Sequence, residues 1–254
     1  MKSIRTIAAA GLLAALAAAP AHAVTDYFEL IFGKTSSSTN SPATGASGTV
    51  GFKFEDTGTA DVAKLSLEIL NTTGSPLFGD EATASKLVGF GFDLVSGVSF
   101  KGNFSGVENN FDTLTKDVNS GGLSKSSGPG PGRLDVFTGT DGDFLGGGAP
   151  ADGLDPTESV TVSFELNYGG TSVDNAMALS DLFLAFFQSD DGSQAGALSA
   201  LRFQEVSGDG FSGASDKLYD PDVNIIPVPA GVLLIGSAFL VAGAVSARAR
   251  RKAA

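Results

Sequence analysis

The chain of 254 residues has no cysteine, no tryptophan and a single histidine, His22. Without cysteine there is no disulfide framework, iron–sulfur cluster, thiol nucleophile or cysteine-rich zinc site. His22 falls in a segment that reads as a leader, so the mature chain is expected to hold no imidazole, and most metal and triad chemistry goes with it. Charged residues are scarce at 17%, yet an apolar share of 42% is too high for a disordered chain, and the 34 glycines show no collagen period. The length fits one domain of moderate size or two small ones.

What the sequence does have is concentrated first at its ends. Lys2 and Arg5 make a short basic region, residues 7–19 are an uninterrupted apolar stretch, and Pro20 breaks it just before Ala21-His22-Ala23. A basic start, a short apolar stretch and a small-x-small site are the marks of a secretory signal peptide. Residues 1–23 are therefore expected to be cleaved by signal peptidase after passage through the secretory translocon, leaving a mature chain from Val24 outside the cytoplasm.

Residues 231–247 (GVLLIGSAFLVAGAVSA) carry no charge, and Arg248, Arg250, Arg251 and Lys252 follow at once. Seventeen helical residues at ~1.5 Å each span roughly 25 Å, the short end of what crosses a bilayer. Cations directly after a span hold that end in the cytoplasm. The expected arrangement is a body outside, one transmembrane helix over 231–247 and a basic stub over 248–254.

Ahead of the span stands Ile226-Pro227-Val228-Pro229-Ala230. Each proline biases the residue before it toward extended backbone, and Pro229 fits the first turn of a helix. An extended segment at the membrane edge is one a peptidase can grip. Proline motif, span and basic stub over 227–254 together resemble the PEP-CTERM sorting signal of Gram-negative bacteria in its VPxPA variant, with Val228 where the commoner form has glutamate. The resemblance implies that an exosortase, a membrane peptidase, recognises Pro227, Val228, Pro229 and Ala230 and passes the body to the cell surface or matrix. It also implies an association with exopolysaccharide and biofilm. A sortase signal would need a Leu-Pro-x-Thr-Gly element, and a GPI signal would end in its apolar tail.

Residues 24–226 form the body. The leader holds two of the 16 basic residues and the stub four, while all 28 acids lie between, so the body carries a formal charge of −18. Such a charge repels nucleic acid and anionic headgroups, and nucleic-acid binding is excluded.

Period-two alternation recurs along the body. Phe28, Leu30 and Phe32 alternate first, then Val50, Phe52 and Phe54, then Leu65, Leu67 and Ile69. Val88, Phe90, Phe92 and Leu94 are spaced by glycines and Asp93, and Val160, Val162, Phe164, Leu166 and Tyr168 form the cleanest run. Leu201 and Phe203 alternate with Arg202 and Gln204. Residues 181–188 (DLFLAFFQ), almost wholly apolar, read as a central strand, and no segment reads as a helix by a 3.6 period. Residues 65–73 with 87–94, and 201–205 with the turn up to Lys217, resemble a pattern of PEP-CTERM bodies and read as paired strands.

Strands with one apolar face bury it by facing another sheet. The predicted fold is all-β: an antiparallel β-sandwich of about eight or nine strands with long glycine- and serine-rich loops, a jelly-roll order being open to it and an up-and-down barrel the runner-up. Eighteen of the 19 phenylalanines lie in the body, and at roughly 1.5–3 kcal/mol each they explain how a chain without disulfides folds.

Chemistry within the body is sparse. Ser124-Lys125 sits in a glycine-serine loop, 28 acids single out no carboxylate pair, and Gly146-Gly147-Gly148 has no lysine after it to make a phosphate loop. No enzymatic activity is expected. Oxygen-rich loops suit calcium, and the candidates are Asp190 and Asp191, and Asp220, Asp222 and Asn224, with Asp141-Gly142-Asp143 behind them. Asn71-Thr72-Thr73 and Asn103-Phe104-Ser105 fit the glycosylation pattern. The functional expectation is an exported envelope or matrix protein, structural or interacting, and the alternative is a calcium-supported module that binds glycans or acts as an adhesin.

Overall fold

The alternation of Phe28, Leu30 and Phe32 becomes burial: all three are enclosed, while Tyr27, Glu29 and Ile31 between them stay partly exposed. A computed structural model describes residues 27–79, 82–105, 111–121, 123, 133–140, 144–145, 150–189, 198–208 and 210–225. The expected leader, sorting motif, span and basic stub lie outside the described residues, as do Asp141, Asp143, Asp190 and Asp191.

Among the described residues the strands form two antiparallel sheets of six strands each. In chain order the strands are β1 Tyr27–Phe32, β2 Ser37–Ser38, β3 Gly48–Asp56, β4 Val62–Asn71, β5 Ala84–Phe92, β6 Ser99–Ser105, β7 Thr113–Asn119, β8 Arg133–Gly139, β9 Ser159–Asn167, β10 Ser199–Gly208, β11 Phe211–Tyr219 and β12 Asp222–Ile225. The first sheet runs β12-β1-β3-β4-β9-β6 and the second β2-β11-β10-β5-β8-β7. Hairpins join β3 to β4, β7 to β8 and β10 to β11, and every other connection passes from one sheet to the other.

The main core lies between the sheets. Phe28 stacks on Phe52 at 4.9 Å within the first sheet, and Phe52 meets Phe90 and Phe92 of the second edge-on at 6.0 and 5.4 Å. These are the offset and T-shaped arrangements that the ring quadrupole favours.

Three expectations change. Residues 181–188 are not a strand but the last part of helix α1, Ala176–Gln188. The periodic signal begins earlier: Ala176, Leu179, Ser180, Phe183 and Leu184 are the buried positions, one helical face. Asn175 caps the helix by accepting from the Ala178 amide at 2.8 Å, and Asp56 of β3 accepts from the Ala176 amide at 2.8 Å. Phe183 and Phe187 then pack on Phe54, Phe28 and Phe52.

Among the described residues twelve strands form where eight or nine were predicted, because polar segments too weak to read by alternation, such as β7 and β12, are held by their neighbours' ladders. Finally, residues 65–71 and 87–92 do not pair with each other. They lie in opposite sheets, and β5 pairs instead with β10, bringing Phe90 opposite Leu201.

A smaller core covers the outer face of the second sheet. It gathers Val118, Leu123, Leu134, Phe137, Phe144, Leu198 and Ala200. The glycines of β5 make it fit: a Cβ on Gly91 would stand 2.6 Å from Leu134 Cδ1.

Candidate functional site

The described part of the calcium candidates is Asp220, Asp222 and Asn224. Asp222 and Asn224 are alternate residues of β12, opposite Ile31 and Glu29 of β1. Asp222 Oδ2 accepts from Thr35 Oγ1, so this carboxylate ties β12 to the turn before β2. Asp220 precedes the strand in left-handed backbone, with φ 57°. Among the described residues no three or more aspartate, glutamate or histidine side chains are placed to hold one metal ion.

Asn71 is wholly buried at the end of β4. Its Nδ2 donates to Leu154 O at 2.8 Å and Ser85 Oγ at 3.1 Å, and its Oδ1 accepts from the Thr73 amide at 3.1 Å. The Asn71 acceptor pattern is thus consumed by a bridge between the sheets, whereas Asn103 is exposed.

The two ends of the body meet. β1 and β12 pair antiparallel, with Phe28 opposite Ile225 and Ile31 opposite Asp222. The chain therefore enters the first sheet and leaves it at the same end of one ladder. Only Ile226 separates Ile225 from Pro227.

A groove of about 710 Å³ opens on the opposite side of the sandwich, where β6 and β7, the far edge strands of the two sheets, come together. Phe100 of β6 and Phe186 of α1 line it, both partly exposed. Phe164 packs on Phe100 at 5.6 Å, and Lys116 Nζ stands over the Phe100 ring, 5.2 Å from its centroid. Arg133 binds Asp117 by both its side chain and its carbonyl.

The floor is hydrogen-bonded in place. Asp135 Oδ2 accepts from the Leu94 amide at 2.8 Å, and Asp93 Oδ2 from the Leu198 amide at 2.9 Å. At Gly97, with φ 85°, the loop turns back so that Val98 N donates to Val95 O at 2.9 Å. Two cations and three carboxylates thus line one cleft beside two phenyl rings. The ladder of β6 slips around Gly102, and Asn103 has φ 57°, a bulged edge that discourages addition of another strand.

A second hollow of about 430 Å³ lies near Pro42, Ala46 and Leu218. Beside it Asp216, 1% exposed, accepts from Ser38 Oγ at 2.8 Å, Thr39 Oγ1 at 3.1 Å and Thr44 Oγ1 at 2.6 Å. Three hydroxyls satisfy a buried carboxylate, and the result is a strap holding the segment before β3 onto β11.

Sequence reasoning missed the groove. Its aromatics sit on a bulged strand and a misread helix, and its acids stand one at a time. The turn signal at Ser96-Gly97 was the only local hint. No known family, curated protein or solved structure matches the chain.

Proposed function

We propose that this chain is an exported protein of the cell envelope or extracellular matrix of a Gram-negative bacterium, held in the inner membrane by a span over 231–247 until an exosortase-type peptidase processes the segment around Pro227–Ala230. Release then carries the body to the cell surface or the exopolysaccharide matrix. The observation that carries the reading is the sequence pattern of the two ends: basic, apolar and small residues over 1–23, and a proline motif, an uncharged stretch and four cations over 227–252. The winding of the body, mostly crossings between sheets, we take as jelly-roll-like.

The body on this reading works by binding or by structure, not by catalysis. The support is chemical: there is no cysteine, and the only histidine lies in the expected leader. The cleft between β6 and β7 favours a second reading, a glycan-binding or adhesin module, since it sets aromatic rings beside paired charges in a concave surface. Calcium belongs to that second reading. A rise in melting temperature with millimolar calcium, reversed by chelator, would support it, and an unchanged melt would remove it.

The sorting reading is tested by Pro227→Ala with Pro229→Ala in the producing cell. The double variant is expected to stay in the inner-membrane fraction while the parent reaches the surface or medium with Val24 at its N-terminus. Equal release of both proteins would overturn it.

A further inference from the structure

We propose that the groove between β6 and β7 binds neutral oligosaccharide, with Phe186 as the stacking platform and Arg133 as the main hydroxyl-binding group. The proposal names the ligand class for the glycan-binding reading above and rests on that reading, not on the sorting signal.

Size and character fit a small-ligand cleft. A volume of about 710 Å³ lies inside the usual range for such sites, about 300–1,000 Å³. Pyranose rings present an apolar face of C–H groups and an equatorial rim of hydroxyls, so they need a ring to lie on and groups that donate and accept at its edge. Phe100 forms a fixed apolar wall, with Phe164 packed on it at 5.6 Å and Lys116 Nζ over its ring at 5.2 Å. Phe186 approaches from the last turns of α1. The guanidinium of Arg133 supplies donors, and the carboxylates of Asp117 and Asp135 supply acceptors, all in one wall. The floor is already held by the amide bonds to Asp93 and Asp135, so binding need not order it.

Charge selects the neutral class. Lys116 and Arg133 face Asp93, Asp117 and Asp135 in the lining, which leaves a small negative excess there. Around it the body carries −18. A polymer of uronic acids or phosphate esters would meet repulsion both in the groove and on approach. The bulged β6 edge argues against an extended peptide as the occupant, since such a peptide binds by continuing a flat ladder.

The test is affinity electrophoresis of the full-length protein in detergent, in gels containing dextran, glucomannan or hydroxyethyl cellulose, with alginate as the polyanion. The expected result is retardation by at least one neutral polymer and none by alginate. Arg133→Gln and Phe186→Ala should each weaken that retardation by about tenfold or more, with melting temperatures near the parent's. Arg133 is half-exposed, which keeps its variant informative should a phenylalanine variant unfold. Pro227→Ala with Pro229→Ala should bind as the parent does, so loss of sorting and loss of binding are read separately. Absence of retardation by every neutral polymer, equal retardation by alginate, or parental retardation in both groove variants would overturn the proposal.

Discussion

The ring of Tyr27 lies over Gly51 of the neighbouring strand, so closely that a Cβ on Gly51 would stand 2.8 Å from its carbon atoms. The glycine makes room on the outer face of the first sheet, and the ring covers backbone that would otherwise be bare, a form of aromatic rescue. Burial there, with Glu29 and Glu68 nearby, pushes the Tyr27 phenol up to about 12. Gly51→Ala should displace the ring and return its titration toward the ordinary tyrosine range, read by absorbance near 295 nm.

The same shift sets an alkaline limit to stability. The folded state holds Tyr27 neutral at pH values where the unfolded chain ionises it, so its contribution is full below the ordinary value near 10 and is lost as pH rises toward 12. Tyr168 shifts in the same direction, chiefly by burial and also through Asp56, Asp61 and Asp174. Chemical denaturation at stepped pH is expected to show stability falling across that window. Tyr27→Phe should make the fall shallower.

Asp56 of β3 and the N-cap residue Asn175 both accept from first-turn amides of α1, each at 2.8 Å. Asp56→Ala should cost about 0.5–2 kcal/mol by urea unfolding, through a lost cap and a lost favourable charge at the helix N-terminus. Glu in place of Asp56 would be too long for the same bond and is expected to recover only part of the loss.

Asp216 fastens the segment around Thr39 and Thr44 to β11 through hydroxyl donors. Asp216→Ala should destabilise the body by about 1.5–3 kcal/mol and leave the hydroxyls without their acceptor. Limited proteolysis is expected to cut first within residues 33–47, ahead of any cut in β3.

Gly139 lies against the neighbouring backbone: an added Cβ would be 2.5 Å from Val88 O. Backbone cannot step aside as a flexible side chain does, so Gly139→Ala should cost about 1–3 kcal/mol in thermal or urea unfolding. At Gly91 the obstacle is the Leu134 side chain, and Gly91→Ala is expected to cost less.

Much of the sandwich was legible in the residues. The runs in β1, β4, β9 and the second half of β3 alternate because each faces the core on one side and solvent on the other, and the apolar members of each run are buried. β5 was legible as a strand but not as one buried on both faces, since its glycines carry no sign of Leu134 and Phe137 packing over them. The helix was lost because reading began at Asp181, after the cap at Asn175 and the first buried turn. The edge strands β6 and β7 offer weak alternation and left-handed residues at Asn103 and Asp117, so pairing, not propensity, makes them strands.

The sequence by itself determined the absence of cysteine, the acidic net charge, the stripes of phenylalanine that become core, and the two terminal patterns on which the sorting proposal stands. These depend only on which residues are present and on neighbours a few positions away. Tertiary structure alone decided that Phe28 lies beside Ile225, that Asn71 is sealed between the sheets, and that Phe100, Arg133 and Phe186 share one groove. Those relationships join residues dozens to nearly two hundred positions apart. They arise from strand order and register, which are set by how whole faces fit together and leave no periodic trace in any single segment.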